Sequence, residues 1–352
     1  MRFSQEINIG GIKIGPNYKP FVIAEMSGNH NHSIERALEI VKAAKDAGAH
    51  AIKLQTYTAD TMTLDLKENE FFVSDKENIW KGQSLYELYE KAHTPWEWHK
   101  QIFDYAKELG LVCFSTPFDD TAVDFLEELN VPCYKIASFE NTDIPLLKKI
   151  AKTGKPVIMS TGMATFKELA VSIDTLEQNG CKDLILLKCT SAYPSTEKDA
   201  NMKTIPHMRE AFGVNVGLSD HSMGIAVPIV ATSLGAVVIE KHFTLSREDG
   251  GVDSSFSLTP AEFKQLMVET SNAFDALGKV TYERAEKEKK SAIYRRSIYV
   301  SKDIKKGEKI SSENVKIIRP AFGLEPIYYD LVIGREARVD MPKGTALTWD
   351  KI

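Results

Sequence analysis

The sequence is poor in cysteine. Four among 352 residues, Cys113, Cys133, Cys181 and Cys189, share no CxxC spacing. That excludes a disulfide-stapled scaffold and a cysteine-built zinc site. Three of them fall in apolar runs that read as buried strands, as reduced thiols of a cytoplasmic protein do, and Cys189 in Lys-Cys-Thr-Ser reads first as a core thiol. Charge of one sign is also scarce: 44 basic against 49 acidic residues leave a net −5, with no electrostatic footprint for nucleic acid. Long apolar runs are missing. Residues 225–239 are broken by Pro228, Thr232, Ser233 and Gly235 and are too short to cross a bilayer. The opening MRFSQEINIGGIKIG has no apolar core followed by a small-residue cleavage site. The expectation is a cytoplasmic protein with neither nucleic-acid nor membrane partners.

What is present is an alternation. Apolar strand candidates recur at 21–26, 50–57, 111–117, 133–138, 156–162, 184–191, 214–221 and 236–243, with helical spacing between them, as in IERALEIVKAAKDAG and WEWHKQIFDYAKELG. Eight near-continuous apolar strands alternating with helices predict an α/β fold, a (β/α)8 TIM barrel. A doubly wound open sheet is the alternative. It would want a GxGxxG turn, which Glu-Met-Ser-Gly-Asn-His is not.

Polar residues gather where the strands end: Glu25, Lys53 and Gln55, Ser115 and Thr116, Lys135 and Ser138, Ser160 and Thr161, then Lys188, Thr190 and Ser191. Barrel active sites lie at those ends. Period-2 alternation puts Ser219 with His221, and Glu240 with His242, on one side of the last two strands. Two neutral imidazoles beside a carboxylate suit a divalent metal with open positions, or else two histidines satisfied by hydrogen bonds at strand ends. Lys53, Lys135 and Lys188 would converge on one mouth, where lysines near a core need anions, such as a small phosphorylated carboxylate.

Residues 58–94 form a long connection that reads either as a lid or as a surface excursion. The expected division is a barrel over 1–281, a charged connector over 282–296, and a small β-rich domain over 297–352. The last contains a weak internal echo, KDIKKGEKIS at 302–311 and VDMPKGTALT at 339–348.

The ordered motifs IAEMSGNH, KLQTY, FSTPFD, YKIAS, STGMA, KCTSAYP, GLSDHS and EKHFT closely resemble the sialic acid synthase family, and the tail resembles its antifreeze-like (SAF) domain. The resemblance implies condensation of phosphoenolpyruvate with an N-acylated amino sugar. Met-Ser-Gly-Asn-His, Trp-Lys-Gly-Gln-Ser, Lys-Cys-Thr-Ser-Ala-Tyr-Pro and Tyr-Arg-Arg-Ser look most like members whose sugar is 2,4-diacetamido-2,4,6-trideoxy-L-altrose. N-acetylmannosamine and the legionaminic precursor are the alternatives, and a metal-dependent aldolase or a non-catalytic binding module compete with the class as a whole. The same resemblance implies that His221 and His242 hold Mn2+, with Mg2+ or Co2+ as substitutes, that Glu240 supports the metal shell, and that Glu25 handles a proton. Lys53, Lys135, Thr116, Ser138, Ser160 and Ser219 would hold the phosphate and carboxylate, with Lys188 and Ser191 on the same rim. Gln55, Tyr193 and Asp253 would meet the sugar, with Gln83, Arg295 and Arg296 as further readers. Arg319 matches the tail arginine that the family inserts into a partner subunit, which implies a domain-swapped homodimer.

Overall fold

Each apolar run becomes a strand with both faces covered. After a hairpin of β1 (Ile7–Ile9) and β2 (Ile12–Ile14) come β3 (Phe21–Glu25), β4 (Ala51–Thr56), β5 (Val112–Pro117) and β6 (Tyr134–Ile136). Then follow β7 (Val157–Ser160), β8 (Leu184–Cys189), β9 (Asn215–Asp220) and β10 (Val238–His242). The computed structural model describes residues 2–75 and 79–352. Strands β3 to β10 are parallel and close on themselves, because β10 pairs with both β9 and β3. The fold is the expected TIM barrel, and the open sheet is excluded.

Helices α1 (Ile34–Asp46), α2 (Ala59–Met62), α3 (Leu85–Ala92), α4 (Trp96–Glu108) and α5 (Asp120–Glu128) precede α6 (Ile144–Lys152) and α7 (Phe166–Gln178). The set continues with α8 (Thr204–Phe212), α9 (Ala226–Ser233) and α10 (Pro260–Leu277). The first shows why they form. Ser33 Oγ accepts from the Arg36 N–H at 3.2 Å, and Ala37, Ile40, Val41 and Ala44 make one buried stripe. Helices α2 and α3 belong to the long connection after β4, of which residues 76–78 lie outside the described residues.

Strand parity sorts the core into two. Outward side chains such as Ile52, Leu54, Ile136 and Leu186 pack with the helical stripes. Inward ones, including Ile23, Phe114, Ile158, Ile185 and Leu187, fill the barrel together with Ile7, Ile9 and Ile14 of the hairpin. The hairpin thus stoppers the end where the strands begin, and the polar residues collect at the other.

The chain divides after Gly278, and the charged connector falls in the second unit, where it includes α11 (Glu286–Ser291). That unit, Lys279–Ile352, has an antiparallel pair, β11 (Ser297–Val300) with β12 (Val315–Ile318), and a short helix α12 (Tyr329–Val332). The echo in its sequence is a local two-fold. Ile304 and Met341 exchange N–H···O bonds of 2.9 and 2.8 Å. Asp303 accepts from the Lys343 N–H at 2.7 Å, and Asp340 from the Lys306 N–H at 2.9 Å. Each aspartate so fastens the Lys-Gly turn of the other half. Among the described residues no helix is long and apolar enough to cross a membrane.

Candidate active site

Continuing each inward row toward the strand ends gives a polar layer. Glu25 follows Ile23, Lys53 and Gln55 follow Ala51, Thr116 follows Phe114, and Lys135 follows Cys133. Ser160 follows Ile158, Ser219 follows Gly217, and Glu240 and His242 follow Val238.

Within this layer two lysines face two carboxylates. Lys53 Nζ lies 2.5 Å from Glu25 Oε2 and 4.0 Å from Glu240 Oε1, and donates to Thr116 Oγ1 at 3.1 Å. Lys135 Nζ lies 3.7 Å from Glu240 Oε1 and donates to Ser160 Oγ at 2.7 Å. Gln55 donates to Glu25 Oε1 at 3.0 Å, and the Ser219 hydroxyl to Glu240 Oε1 at 3.1 Å. All four charged groups are buried. The lysines therefore have anions supplied by the chain itself. Among the described residues Glu240 Oε2 is buried without a hydrogen-bond partner, and Glu25 Oε2 has the Lys53 ammonium beside it.

Burial pushes the Glu25 carboxyl above the usual range, against the pull of Lys53. The same burial would raise Glu240, but Lys135 and Lys53 hold it below. The two carboxyls are thus pushed in opposite directions, as acid–base chemistry uses. Burial also brings the Lys135 ammonium below its ordinary value, whereas Glu240 and Glu25 outweigh burial at Lys53 and keep it above.

The two histidines do arrive together, with ring centroids 5.3 Å apart and Phe256 against both. His221 Nδ1 lies 3.0 Å from the Thr190 carbonyl, to which it donates, and against burial Cys189 raises the pKa of the ring. His242 Nδ1 is buried without a hydrogen-bond partner, 3.6 Å from Asp253 Oδ2. Burial, followed by the cationic neighbours, holds His242 well below its ordinary pKa and hence neutral. Among the described residues no group of three or more His, Cys, Asp and Glu side chains is arranged to hold a metal ion. Glu240 spends its hydrogen bond on Ser219 and its charge on the lysines. Cys189 is buried beside this pair, its Sγ 3.9 Å from His221 Nδ1. Burial pushes that thiol up, but His221, Ser138 and Lys135 outweigh it and bring it to about 7.

Ser138 and Ser191 meet over Gly162, where a Cβ would overlap both hydroxyls. This glycine is what lets two loops close on one point. Above the layer opens a cavity of about 600 Å³ whose lining includes Ser27, Gln55, Tyr193, His242 and Asp253. The Ser27 hydroxyl donates to Asp253, and the Tyr193 ring sits 4.4 Å from that of His221.

Two expected residues of the barrel unit, Lys188 and Gln83, are not brought to this group. Lys188 has the outward parity of Leu186, and its ammonium donates to Cys189 O at 2.9 Å and Thr190 Oγ1 at 3.2 Å; a one-residue step along a strand reverses the face, so Cys189 points in instead. Gln83 uses both ends of its amide locally, on Trp80 O at 3.3 Å and Lys91 at 3.0 Å. Arg319 follows β12 in the second unit, where Arg295 and Arg296 also lie. One residue was missed. Glu140 lines the cavity with Oε2 unpartnered, and burial pushes its carboxyl up to about 7. It lies two positions beyond Ser138, just outside the strand-end rule that found the others.

The family model described as NeuB matches residues 40–282, and that of the SAF domain residues 295–352. The chain is 48% identical to the pseudaminic acid synthase of Campylobacter jejuni over 94% of its length and 95% of that protein. It is 37% identical to the N,N'-diacetyllegionaminic acid synthase of Legionella pneumophila, over 98% of both. Among solved structures, the N-acetylneuraminic acid synthetase of Leptospira borgpetersenii, in complex with citrate, matches with a TM-score of 0.73 at 33% identity, over 82% of this chain and 95% of that one.

Proposed function

The chain belongs to the NeuB family, and from that premise we propose that it condenses phosphoenolpyruvate with 2,4-diacetamido-2,4,6-trideoxy-β-L-altrose and water, giving pseudaminic acid and phosphate. It is a phosphoenolpyruvate-condensing synthase by its relatives; the sugar is the step taken here. The observation that carries the reaction is the buried layer of Glu25, Lys53, Glu240 and Lys135 beneath a cavity floored by His242.

The phosphate and carboxylate of phosphoenolpyruvate take Lys53, Lys135, Thr116, Ser160 and Ser219 as partners, with Ser138 and Ser191 closing the cradle over Gly162. The donor set fits a nitrogen-ligated divalent ion: among the described residues His242 Nδ1 has no hydrogen-bond partner, the contact of His221 Nδ1 with the Thr190 carbonyl leaves its Nε2 as the nitrogen for a metal, and both rings are buried. When bound there, Mn2+ would supply polarisation of the open-chain sugar aldehyde. C3 of phosphoenolpyruvate forms a bond to that aldehyde carbon as the C2–C3 π bond opens, and the aldehyde oxygen takes up a proton. Water adds to C2 and gives up a proton, for which Glu25 and Glu240 are the carboxylates at hand. The C2–O bond then breaks, the new hydroxyl becomes the ketone, and phosphate leaves with its proton. Gln55, Asp253 and Tyr193 orient the sugar.

Arg319 of the partner subunit, reaching the sugar's acyl group in a domain-swapped homodimer, belongs to this reading, as does a cytoplasmic location, to which the four free, buried cysteines are suited. A chain carrying Arg319→Ala mixed with one carrying Glu25→Ala would then regain part of the lost activity. The deciding experiment is phosphate release from phosphoenolpyruvate with Mn2+ and a panel of amino sugars. The trideoxy sugar should be turned over best. Preference for the legionaminic precursor, supported by the 37% relative, or for N-acetylmannosamine would replace it.

A further inference from the structure

The cavity lining is mixed, with Phe118, Ala137, Phe139 and Val252 beside its polar residues. Its floor carries Ser27, Gln55, His242 and Asp253, and one side carries Glu140 and Asp143. From helix α3, Leu85, Leu88, Tyr89 and Ala92 all line the cavity. Positions i, i+3, i+4 and i+7 share one helical face, so the apolar stripe of a two-turn helix is turned onto the cavity, and Met62 and Val73 extend it. The helix is held in place. Ser84 and Glu87 form a reciprocal capping box, and the Tyr89 ring meets Tyr57 at 5.8 Å. Among the described residues that line the cavity there is no Lys or Arg, while three are carboxylic: Glu140, Asp143 and Asp253.

Resting on the reaction assigned above, we propose that the cavity face of α3, with Met62 and Val73, is the specificity-determining wall for the acceptor sugar. It selects an unphosphorylated sugar whose terminal carbon is a methyl group. The reacting aldehyde end belongs at the floor beside His242, which leaves the far end of the open chain for the wall. A methyl group there removes apolar surface from water at no polar cost. A hydroxyl would give up water against the aliphatic side chains of Leu85, Leu88, Met62 and Val73, and a phosphate would meet Glu140 and Asp143 with no Lys or Arg among the described lining residues.

The test uses the full-length protein with phosphoenolpyruvate and Mn2+, and two diacetamido sugars that differ only in CH3 against CH2OH at the terminal carbon. The parent should favour the methyl sugar by roughly tenfold or more in kcat/KM, the discrimination an apolar pocket achieves. Leu85→Gln and Leu88→Gln should each cut that ratio several-fold with KM for phosphoenolpyruvate unchanged. Leu85→Ala, which adds no polar atom, should keep the ratio, and circular dichroism confirms that each variant is folded. A ratio unmoved in folded variants overturns the wall and leaves the reaction standing, as does a parent that prefers the hydroxylated sugar. No phosphate release with any amino sugar overturns the reaction instead; calorimetric binding of the same two sugars then reads the ratio, and equal affinities overturn the wall.

Discussion

Lys241 Nζ lies 2.6 Å from Asp220 Oδ2 on the outer face of β9 and β10, at the register where those two residues pair. Both are buried, and Asp220 also accepts from the Ser222 N–H and hydroxyl, each at 3.0 Å. Each is the chain neighbour of a histidine, His221 or His242, so one ion pair ties together the strand ends that present the two imidazoles.

Lys241→Met should destabilise the protein by roughly 3–5 kcal/mol, because it leaves the Asp220 carboxylate buried without its counter-charge. Adding Asp220→Asn to that variant should recover part of the loss. Denaturant melts of the single and double variants measure it, and additive losses would contradict the coupling.

Lys53→Ala should weaken the use of phosphoenolpyruvate by an amount on the order of 2–5 kcal/mol, the cost of removing one charged partner from a desolvated anion. Unchanged kinetics for that substrate would count against the cradle. The same change deprives Glu25 of the ammonium at 2.5 Å, and the acid it leaves should hold its proton to higher pH.

Gly162→Ala should raise KM for phosphoenolpyruvate while the barrel stays folded. The added methyl group falls on the Ser138 and Ser191 hydroxyls, the nearest atoms to it. A normal KM would show that the two hydroxyls do not meet the substrate.

Folding raises the Glu140 carboxyl from its ordinary 4.5 to about 7. Between those values the folded chain holds more protons than the unfolded one, so stability falls as pH climbs through the window. Glu140→Gln abolishes that loss and should gain on the parent by up to about 3 kcal/mol at pH above 7 relative to acid solution. Urea melts at about pH 5 and about pH 8 give the comparison; a stability difference independent of pH would refute it.

The barrel was legible because strands covered on both faces are apolar until their tips, and the tips of β3 to β7 and of β9 and β10 named the polar layer residue by residue. Lys188 shows the limit. At the end of a strand, a polar side chain on the outer face looks the same in sequence as one on the inner face, and only the register with Leu187 and Gly217 assigns it. Glu140 and the stripe on α3 were hidden for another reason. They lie in connections, where nothing periodic ties a residue to the barrel axis, and a helical stripe in a long loop reads equally as packing against a core. Gln83 erred in the opposite direction, since its partners Trp80 and Lys91 are near in sequence and leave it none to spare.

The β1–β2 hairpin has a kinetic corollary. Among the described residues Ile7, Ile9 and Ile14 fill one end, so substrates would enter the barrel from the other. If the three-carbon acid seats on Lys53 and Lys135 as proposed, it would descend before the sugar covers it, and inorganic phosphate would leave last. Turnover should therefore be strictly ordered, and a large excess of sugar should slow it by occupying barrels whose floor is still bare.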